Sequence, residues 1–195
     1  RGFYPQMGDE PDFAQLETDA GSVEPGAGGL IFLPYLSGER APIWDDAARA
    51  AFVGLAAHHA RAYCARAVYE GVAFAVRHIL TLSERATGLA IEELRVSGGG
   101  SRSAFWNQVK ADVTGKRVLR LAVPDAACLG AAMLAAVGMR AWAGLDAAST
   151  AMVRVRGAVE PRWEYAARYD DLFAVYCELY PALRPIFSRL SALSP

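Results

Sequence analysis

The stretch LRVSGGGSRSAFWNQVKADV, from Leu94 to Val113, passes from a short apolar run through three glycines into an amphipathic pattern. Its first residues predict the end of a buried strand, and Ser101 or Ser103 can cap the helix that follows. The glycines at 98 to 100 lack a Cβ, so the backbone can adopt positive φ and a ligand can approach it closely. The first N–H groups of the helix would face this turn, which suits a nucleotide or another anion-bearing ligand. A tight strand-to-helix turn without a ligand is the alternative interpretation.

Composition predicts a folded protein without a nucleic-acid partner. The chain has 195 residues, of which 53% are hydrophobic, enough for one domain or for one large half of a two-lobed protein. The formal net charge is -1 and there is no basic block, so we expect no nucleic-acid binding.

Cysteine spacing and the absence of long apolar runs indicate the compartment. Cys64, Cys128 and Cys177 are far apart and lack a C-x-x-C spacing, which predicts small buried side chains in a reducing environment rather than a zinc site. We find neither a run of 18 apolar residues nor a signal-peptide pattern, and therefore expect a cytoplasmic protein without a membrane partner. Because the sequence opens at Arg1 rather than at methionine, we expect a fragment or a processed piece.

Periodicity predicts an α/β fold in which four strands share one sheet. Met152–Glu160 is weakly extended, and Pro181 and Pro185 should break or kink a final aromatic-striped helix that starts at Pro161. The predicted strands are Leu30–Pro34, Ala51–Leu55, Leu94–Val96 and Arg117–Val123, and the main helices are His58–Thr87, Ser103–Val113 and Ala126–Val137.

The sequence divides into a peripheral lead-in segment, residues 1–28, and a domain, residues 29–195. The lead-in is rich in Gly, Pro and acidic residues and carries one predicted helix, Asp12–Ala20. At the end of the first apolar strand, Glu39 and Arg40 either pair with each other or face a ligand.

Other charged residues and the histidines give weaker indications of a functional site. Arg66 and Glu70 have the spacing of an intrahelical pair on the long helix. The histidines at 58, 59 and 78 lack carboxylate or cysteine neighbours at metal-ligand spacing, so we expect no metal site.

Five patterns occur in a fixed order between Gly29 and the C-terminus, and this order resembles the C-terminal half of the FGGY family of carbohydrate kinases, the relatives of glycerol kinase, xylulokinase and gluconokinase. The patterns are FLPYLSGERAP from Phe32, closing at Gly54-Leu55; ARAVYEGV from Ala65; SGGGSRS from Ser97, continuing through Trp106-Asn107-Gln108 to Gly115; CLGAA from Cys128; and the Pro161 to Tyr169 region.

The resemblance implies an actin-like, ribonuclease-H-related ATPase fold with two α/β domains, and phosphoryl transfer from ATP, with Mg²⁺, to a sugar hydroxyl. In such kinases the glycine turn and the following helix hold the adenosine. The resemblance therefore implies nucleotide contacts at Gly98, Gly99 and Gly100, with Gly99 and Ser103 at the positions of the usual contacts, and helical spacing adds Asn107 as a candidate contact. Ser103 and Asn107 lie one turn apart and can both offer hydrogen bonds.

The sequence departs from the family pattern in what it lacks. It has no counterpart of the sugar-binding domain with its catalytic aspartate, nor of the Gly/Thr-rich phosphate hairpin. We therefore expect the adenosine-binding half of a sugar kinase, inactive alone, with no catalytic residue of its own. The sugar would be D-xylulose or a related pentulose, whereas SGERAP with Trp44 and CLGAA favour gluconokinase-like relatives.

Two other classes of function stay open. The order strand, glycines, helix and strand, followed by Asp125, is also typical of the dinucleotide site of a hydride-transfer enzyme. In the G-x-G-x-x-G/A fingerprint of such sites, however, Ser103 stands at the third Gly or Ala position. A non-catalytic nucleotide-binding or assembly module would need no missing half. The sequence leaves a homodimer open as well.

Overall fold

The computed structural model describes residues 6, 7 and 10 to 193, so part of the predicted lead-in segment lies outside the described residues. The strands are β1 Gln6–Met7, β2 Glu10–Pro11, β3 Ile31–Leu33, β4 Ala51–Val53, β5 Glu93–Val96, β6 Arg117–Leu121 and β7 Val155–Val159. The helices are α1 Phe13–Gly21, α2 Arg61–Thr87, α3 Ala104–Thr114, α4 Ala126–Gly138, α5 Leu145–Met152 and α6 Ala166–Leu193. The predicted α/β class is confirmed.

The prediction of a single four-stranded sheet is wrong. β3 and β4 form an antiparallel pair of their own, whereas β5, β6 and β7 form a separate sheet in that order. β5 is parallel to β6, and β7 returns antiparallel. Between the two sheets the chain forms the long helix α2, which packs on β3.

Local signals explain where the helices begin and end. Asp12 caps α1 by accepting a hydrogen bond from the Gln15 N–H, at 2.9 Å, and Ser103 caps α3 in the same way through Trp106. Gly88 and Gly115 end α2 and α3 with positive φ, as glycine does at helix C-termini. α6 runs without interruption through Pro181 and Pro185, so the predicted break does not occur, and the alternative of a kink stays a prediction.

The core lies where β3, α2, α3 and α6 meet. Its largest buried side chains include Tyr35, Phe74, Tyr169 and Tyr176, and the Tyr35 and Tyr176 hydroxyls are 2.8 Å apart. The aromatic stripe of α6 therefore packs on the body of the fold. By contrast, Leu94 and Val96 on β5 are only half-buried, so the prediction of a buried strand there is wrong.

The Arg66–Glu70 pair is buried rather than lying on a solvated helix face. The Arg66 Nε is 2.6 Å from a Glu70 carboxylate oxygen, and both side chains are almost fully buried. The same oxygen accepts hydrogen bonds from the Tyr169 hydroxyl and the Gly26 N–H, both at 2.8 Å. The pair thus joins α2 to α6 and to the loop before β3.

Candidate functional site

The glycine turn connects the end of β5 to α3. Gly98 has a φ of 78°, and Gly99 to Arg102 form a single 3₁₀ turn before Ser103 caps the helix. The Gly98 N–H donates to the Pro124 carbonyl at 2.7 Å, and the Ser101 hydroxyl donates to the Gly98 carbonyl at 2.7 Å. These bonds fix the turn against the end of β6.

Two of the three glycines border open space. A Cβ built on Gly98 or on Gly99 would meet no atom within 4 Å, whereas one on Gly100 would lie 3.1 Å from the Trp106 ring. Only Gly98 has positive φ, so backbone conformation does not require glycine at 99 or 100. The backbone at Gly99 is therefore bare toward a cavity, as the approach of a ligand would require.

Two cavities flank this turn, and Gly99 and Arg102 line both of them. The smaller, about 450 Å³, lies at the carboxyl ends of β5 and β6, where ligands gather in open α/β sheets. The larger is about 680 Å³. The smaller is also lined by Ser97, Gly98, Pro124, Asp125, Ala126 and Ala127; the larger is also lined by Phe13, Ala14, Glu17, Tyr69, Gly100, Ser103 and Trp106.

The larger cavity has an aromatic wall. The Tyr69 and Trp106 rings have their centroids 5.2 Å apart, and Phe13 of α1 is 62% exposed at the same cavity. Aromatic faces of this kind can stack on a nucleobase. Sequence reasoning missed Phe13, Tyr69 and Trp106 as site residues, because aromatic residues at helical spacing also signal a core and because α1 belongs to a segment with little functional signal.

Ser103 and Asn107 occupy different positions, although both were predicted to contact the nucleotide. Ser103 borders the larger cavity, and its hydroxyl accepts a hydrogen bond from the Trp106 N–H at 2.9 Å. Asn107 is fully buried, and its amide donates to the Ser101 carbonyl at 2.8 Å. The structure thus gives Asn107 a contact with the turn itself.

Two charged residues line the smaller cavity. Asp125 caps α4, and the hydrogen bond from the Cys128 N–H, at 3.0 Å, holds the pKa of its carboxyl below the ordinary value. Arg102 lies on the turn and lines the same cavity. The smaller cavity can therefore present a cation and an acceptor to a polar ligand. Cys128 itself is exposed, so the prediction that all three cysteines are buried is wrong.

No metal site occurs in the part of the chain that the structure describes: no group of three or more His, Cys, Asp or Glu residues there could hold an ion. His59 instead bonds the Ala56 N–H and the Gly28 carbonyl through its ring nitrogens. Glu39 does not pair with the Arg40 guanidinium, because its carboxylate accepts the N–H groups of Arg40 and Ala41. Within the described helices, none is long and apolar enough to cross a membrane.

The fold belongs to the class of α/β domains with an actin-like, ribonuclease-H-like ATPase fold, as its structural neighbours show. Residues 6–139 match the model of the FGGY family of carbohydrate kinases, C-terminal domain. The chain belongs to this family.

Individual relatives agree with this assignment. The chain is 33% identical, over 179 residues, to the xylulose kinase of Lactococcus lactis, covering 91% of this chain and 36% of that protein. The gluconate kinase of Lactobacillus acidophilus superposes with a TM-score of 0.87 at 28% identity, over 97% of this chain and 38% of that one. The ligand-bound xylulose kinase of the same organism gives 0.82 at 30%, over 91% and 36%. The chain spans little more than a third of the length of these relatives.

Proposed function

We propose that this chain is the adenosine-binding half of an ATP-dependent carbohydrate kinase, which transfers the γ-phosphoryl group of ATP to the hydroxyl of D-xylulose or a related pentulose. The observation that carries the proposal is the bare backbone of Gly99 between two cavities, one of them lined by Phe13, Tyr69 and Trp106. Family membership supplies the reaction class.

Of the two cavities, the larger is the better binding site for the adenine. Its volume of about 680 Å³ and its aromatic wall suit a flat base, and Ser103 offers a hydroxyl at its edge. The ribose and phosphates would then pass Gly99 toward the smaller cavity, where Arg102 supplies a positive charge and Asp125 an acceptor. Gly98, Gly99, Gly100 and Ser103 act in this proposal as contacts, and Asn107 as the support of the turn.

The chemical step needs groups that the described residues do not bring together. When bound, Mg²⁺ with ATP supplies charge neutralisation on the transferring phosphoryl group, and a base must accept the proton of the sugar hydroxyl. The contribution of this chain is to hold and orient the adenosine. We therefore propose that the chain alone phosphorylates no sugar, and that turnover requires the other half of the kinase.

The choice of sugar rests on the relatives. The xylulose kinase of Lactococcus lactis is 33% identical over 91% of the chain, which favours a pentulose. Gluconate is the second candidate, because the gluconate kinase structure superposes over more of the chain than the xylulose kinase structures do. Assays of the longer kinase with D-xylulose, L-xylulose, gluconate and glycerol would separate them by kcat/KM.

A matched pair of glycine variants tests the site. Gly99 and Gly144 both lack positive φ, and a Cβ on either would meet no atom within 4 Å, so both positions leave room for a side chain to begin. We expect Gly99→Val to weaken ADP binding, measured by calorimetry, at least tenfold, since its side chain would occupy ligand space, and Gly144→Val to leave binding unchanged. Equal affinities in two folded variants would refute the proposed site.

A further inference from the structure

Lys110 on α3 is a buried lysine without an acidic partner. The residue is only 8% exposed, and among the described residues its ammonium makes neither an ion pair nor a hydrogen bond. Lysine is rarely buried unless its charge is paired, because burial removes water from the ammonium. The fold therefore carries a charge that lowers its stability, and nothing in the core explains why this position is a lysine.

The contact that the structure gives this ammonium is with the ring of Trp106, one helical turn earlier. The Lys110 Nζ lies 5.0 Å from the ring centroid, within the range at which a cation is attracted to the face of an indole. Burial lowers the pKa of Lys110 to about 8, and no charged or titratable group contributes to that shift. The ammonium and the indole thus form an isolated pair.

The acidic side chains on the elements that pack against α3 have other partners. Asp19 of α1 pairs with Arg61 of α2 at 2.9 Å, and Glu70 of α2 pairs with the buried Arg66. Three further ion pairs lie on α3 itself or on elements around it: Arg77 with Asp170, Lys116 with Glu84, and Arg162 with Asp112.

Trp106 connects Lys110 to the proposed nucleotide site. Its ring lines the larger cavity, lies 5.2 Å from the Tyr69 ring between centroids, and would be 3.1 Å from a Cβ on Gly100. Lys110 itself does not line that cavity. A cation over an indole holds the orientation of the ring, and its positive charge favours an electron-rich base on the same ring.

We propose that Lys110 is a positioning residue for nucleotide binding, whose ammonium holds the Trp106 ring in the orientation that stacks on adenine. The inference rests on the proposed function, because it takes the larger cavity as the adenine site. Loss of the ammonium proton removes the attraction to the ring. The affinity for the base should therefore fall as the pH rises through the range in which Lys110 titrates.

The test uses adenosine as the probe, because it lacks phosphates and does not change its charge between neutral and mildly alkaline pH. Calorimetry at pH 7, 8, 9 and 10 should show that the parent binds adenosine about threefold to tenfold more weakly at the highest pH than at the lowest. Lys110→Met should bind weakly at every pH. Lys110→Arg keeps its charge throughout, so it should bind at every pH as the parent does at pH 7.

Lys116→Met is the matched control. Lys116 is the other lysine of the chain, and its ammonium is 2.8 Å from a carboxylate oxygen of Glu84. This variant should keep the parent's adenosine affinity and its pH dependence. The Trp106 indole N–H signal, followed by NMR, should shift with pH in the parent and in Lys116→Met, and stay constant in Lys110→Met. Thermal unfolding confirms that each variant is folded.

The outcomes separate this inference from the proposed function. Adenosine binding by the parent that is independent of pH, or a pH dependence that persists in Lys110→Met, overturns the role of Lys110 and leaves the nucleotide site in place. A parent that binds neither adenosine nor ADP overturns the nucleotide site, and the role of Lys110 with it.

Discussion

The side-chain amide of Asn107 donates a hydrogen bond of 2.8 Å to the main-chain carbonyl of Ser101, six residues earlier in the chain. Asn107 is fully buried, and the oxygen of its side-chain amide is buried without a hydrogen-bond partner among the described residues. This bond ties the first half of α3 to the 3₁₀ turn that follows Gly98. The shape of the glycine turn is therefore held from inside the fold.

Asn107→Ala should destabilise the protein and weaken ADP binding, although the side chain is not at the cavity surface. Removing the donor leaves a buried carbonyl unsatisfied, which costs about 1–3 kcal/mol. Urea denaturation measures the first effect and calorimetry the second. Unchanged ADP affinity in a clearly destabilised variant would show that the shape of the turn does not control binding.

Gly98 and Gly99 should respond differently to alanine. Gly98 has a φ of 78° and a ψ of −175°, a region that essentially only glycine adopts, so Gly98→Ala should cost about 1–3 kcal/mol of unfolding free energy. Gly99 has no positive φ and open space around a Cβ, so Gly99→Ala should leave stability unchanged or slightly raised. Denaturation curves of both variants check this, and equal destabilisation would contradict it.

The buried network around Glu70 should be the most sensitive electrostatic feature of the fold. Glu70→Ala leaves the buried Arg66 guanidinium without its carboxylate, for which we expect a loss of about 3–5 kcal/mol. The control is Asp170→Ala, which removes the more exposed partner of Arg77 and should cost less than about 1 kcal/mol. Similar losses in the two variants, measured by chemical denaturation, would mean that the buried network has no special role.

Lys110 should make stability depend on pH. Its ammonium lies 5.0 Å from the centroid of the Trp106 ring, and burial lowers its pKa to about 8. Between pH 8 and about 10.4 the unfolded chain holds this proton and the folded chain releases it, so this residue's contribution makes stability rise with pH in that window. Lys110→Met removes the buried charge and should be more stable than the parent at pH 7, by about 2 kcal/mol.

The difference between the Lys110→Met variant and its parent should shrink as the pH approaches 10. Thermal unfolding of both proteins at pH 7, 8, 9 and 10 measures it. A constant difference across this range would show that the titration of Lys110 is not its cause.

Sequence reasoning predicted the local elements well, because their signals are local. Asp12, Ser103, Gly88 and Gly115 mark helix ends through hydrogen bonds and φ angles that depend on near neighbours. It failed on sheet membership, since periodicity identifies strands but does not say which strands pair. It also predicted a break or a kink at Pro181 and Pro185: no break occurs, since both lie inside one helix with buried residues on either side, at Tyr169, Tyr176 and Phe187, and the kink stays a prediction.

The candidate site was predicted only in part, because some of its signals are local in the sequence and others arise only when helices pack together. The glycines at 98 to 100 are visible in sequence, because three in a row after a strand are unusual in a simple turn. Phe13, Tyr69 and Trp106 come together only when α1, α2 and α3 pack, and no spacing in the sequence predicts that they line one cavity. Asn107 was predicted as a ligand contact from its position one turn after Ser103, but only the fold shows its bond to Ser101.

The central claim is that adenosine binds at the glycine turn, and amide chemical shifts locate that binding most directly. In a titration of the ¹⁵N-labelled chain with ADP, we predict shifts concentrated at Gly98, Gly99, Gly100, Ser103 and the Trp106 indole N–H. A separate cavity lined by Gly26, Gly28 and Arg168 serves as the internal control and should not respond. Saturable shifts at that control cavity, with none at the glycine turn, would contradict the account.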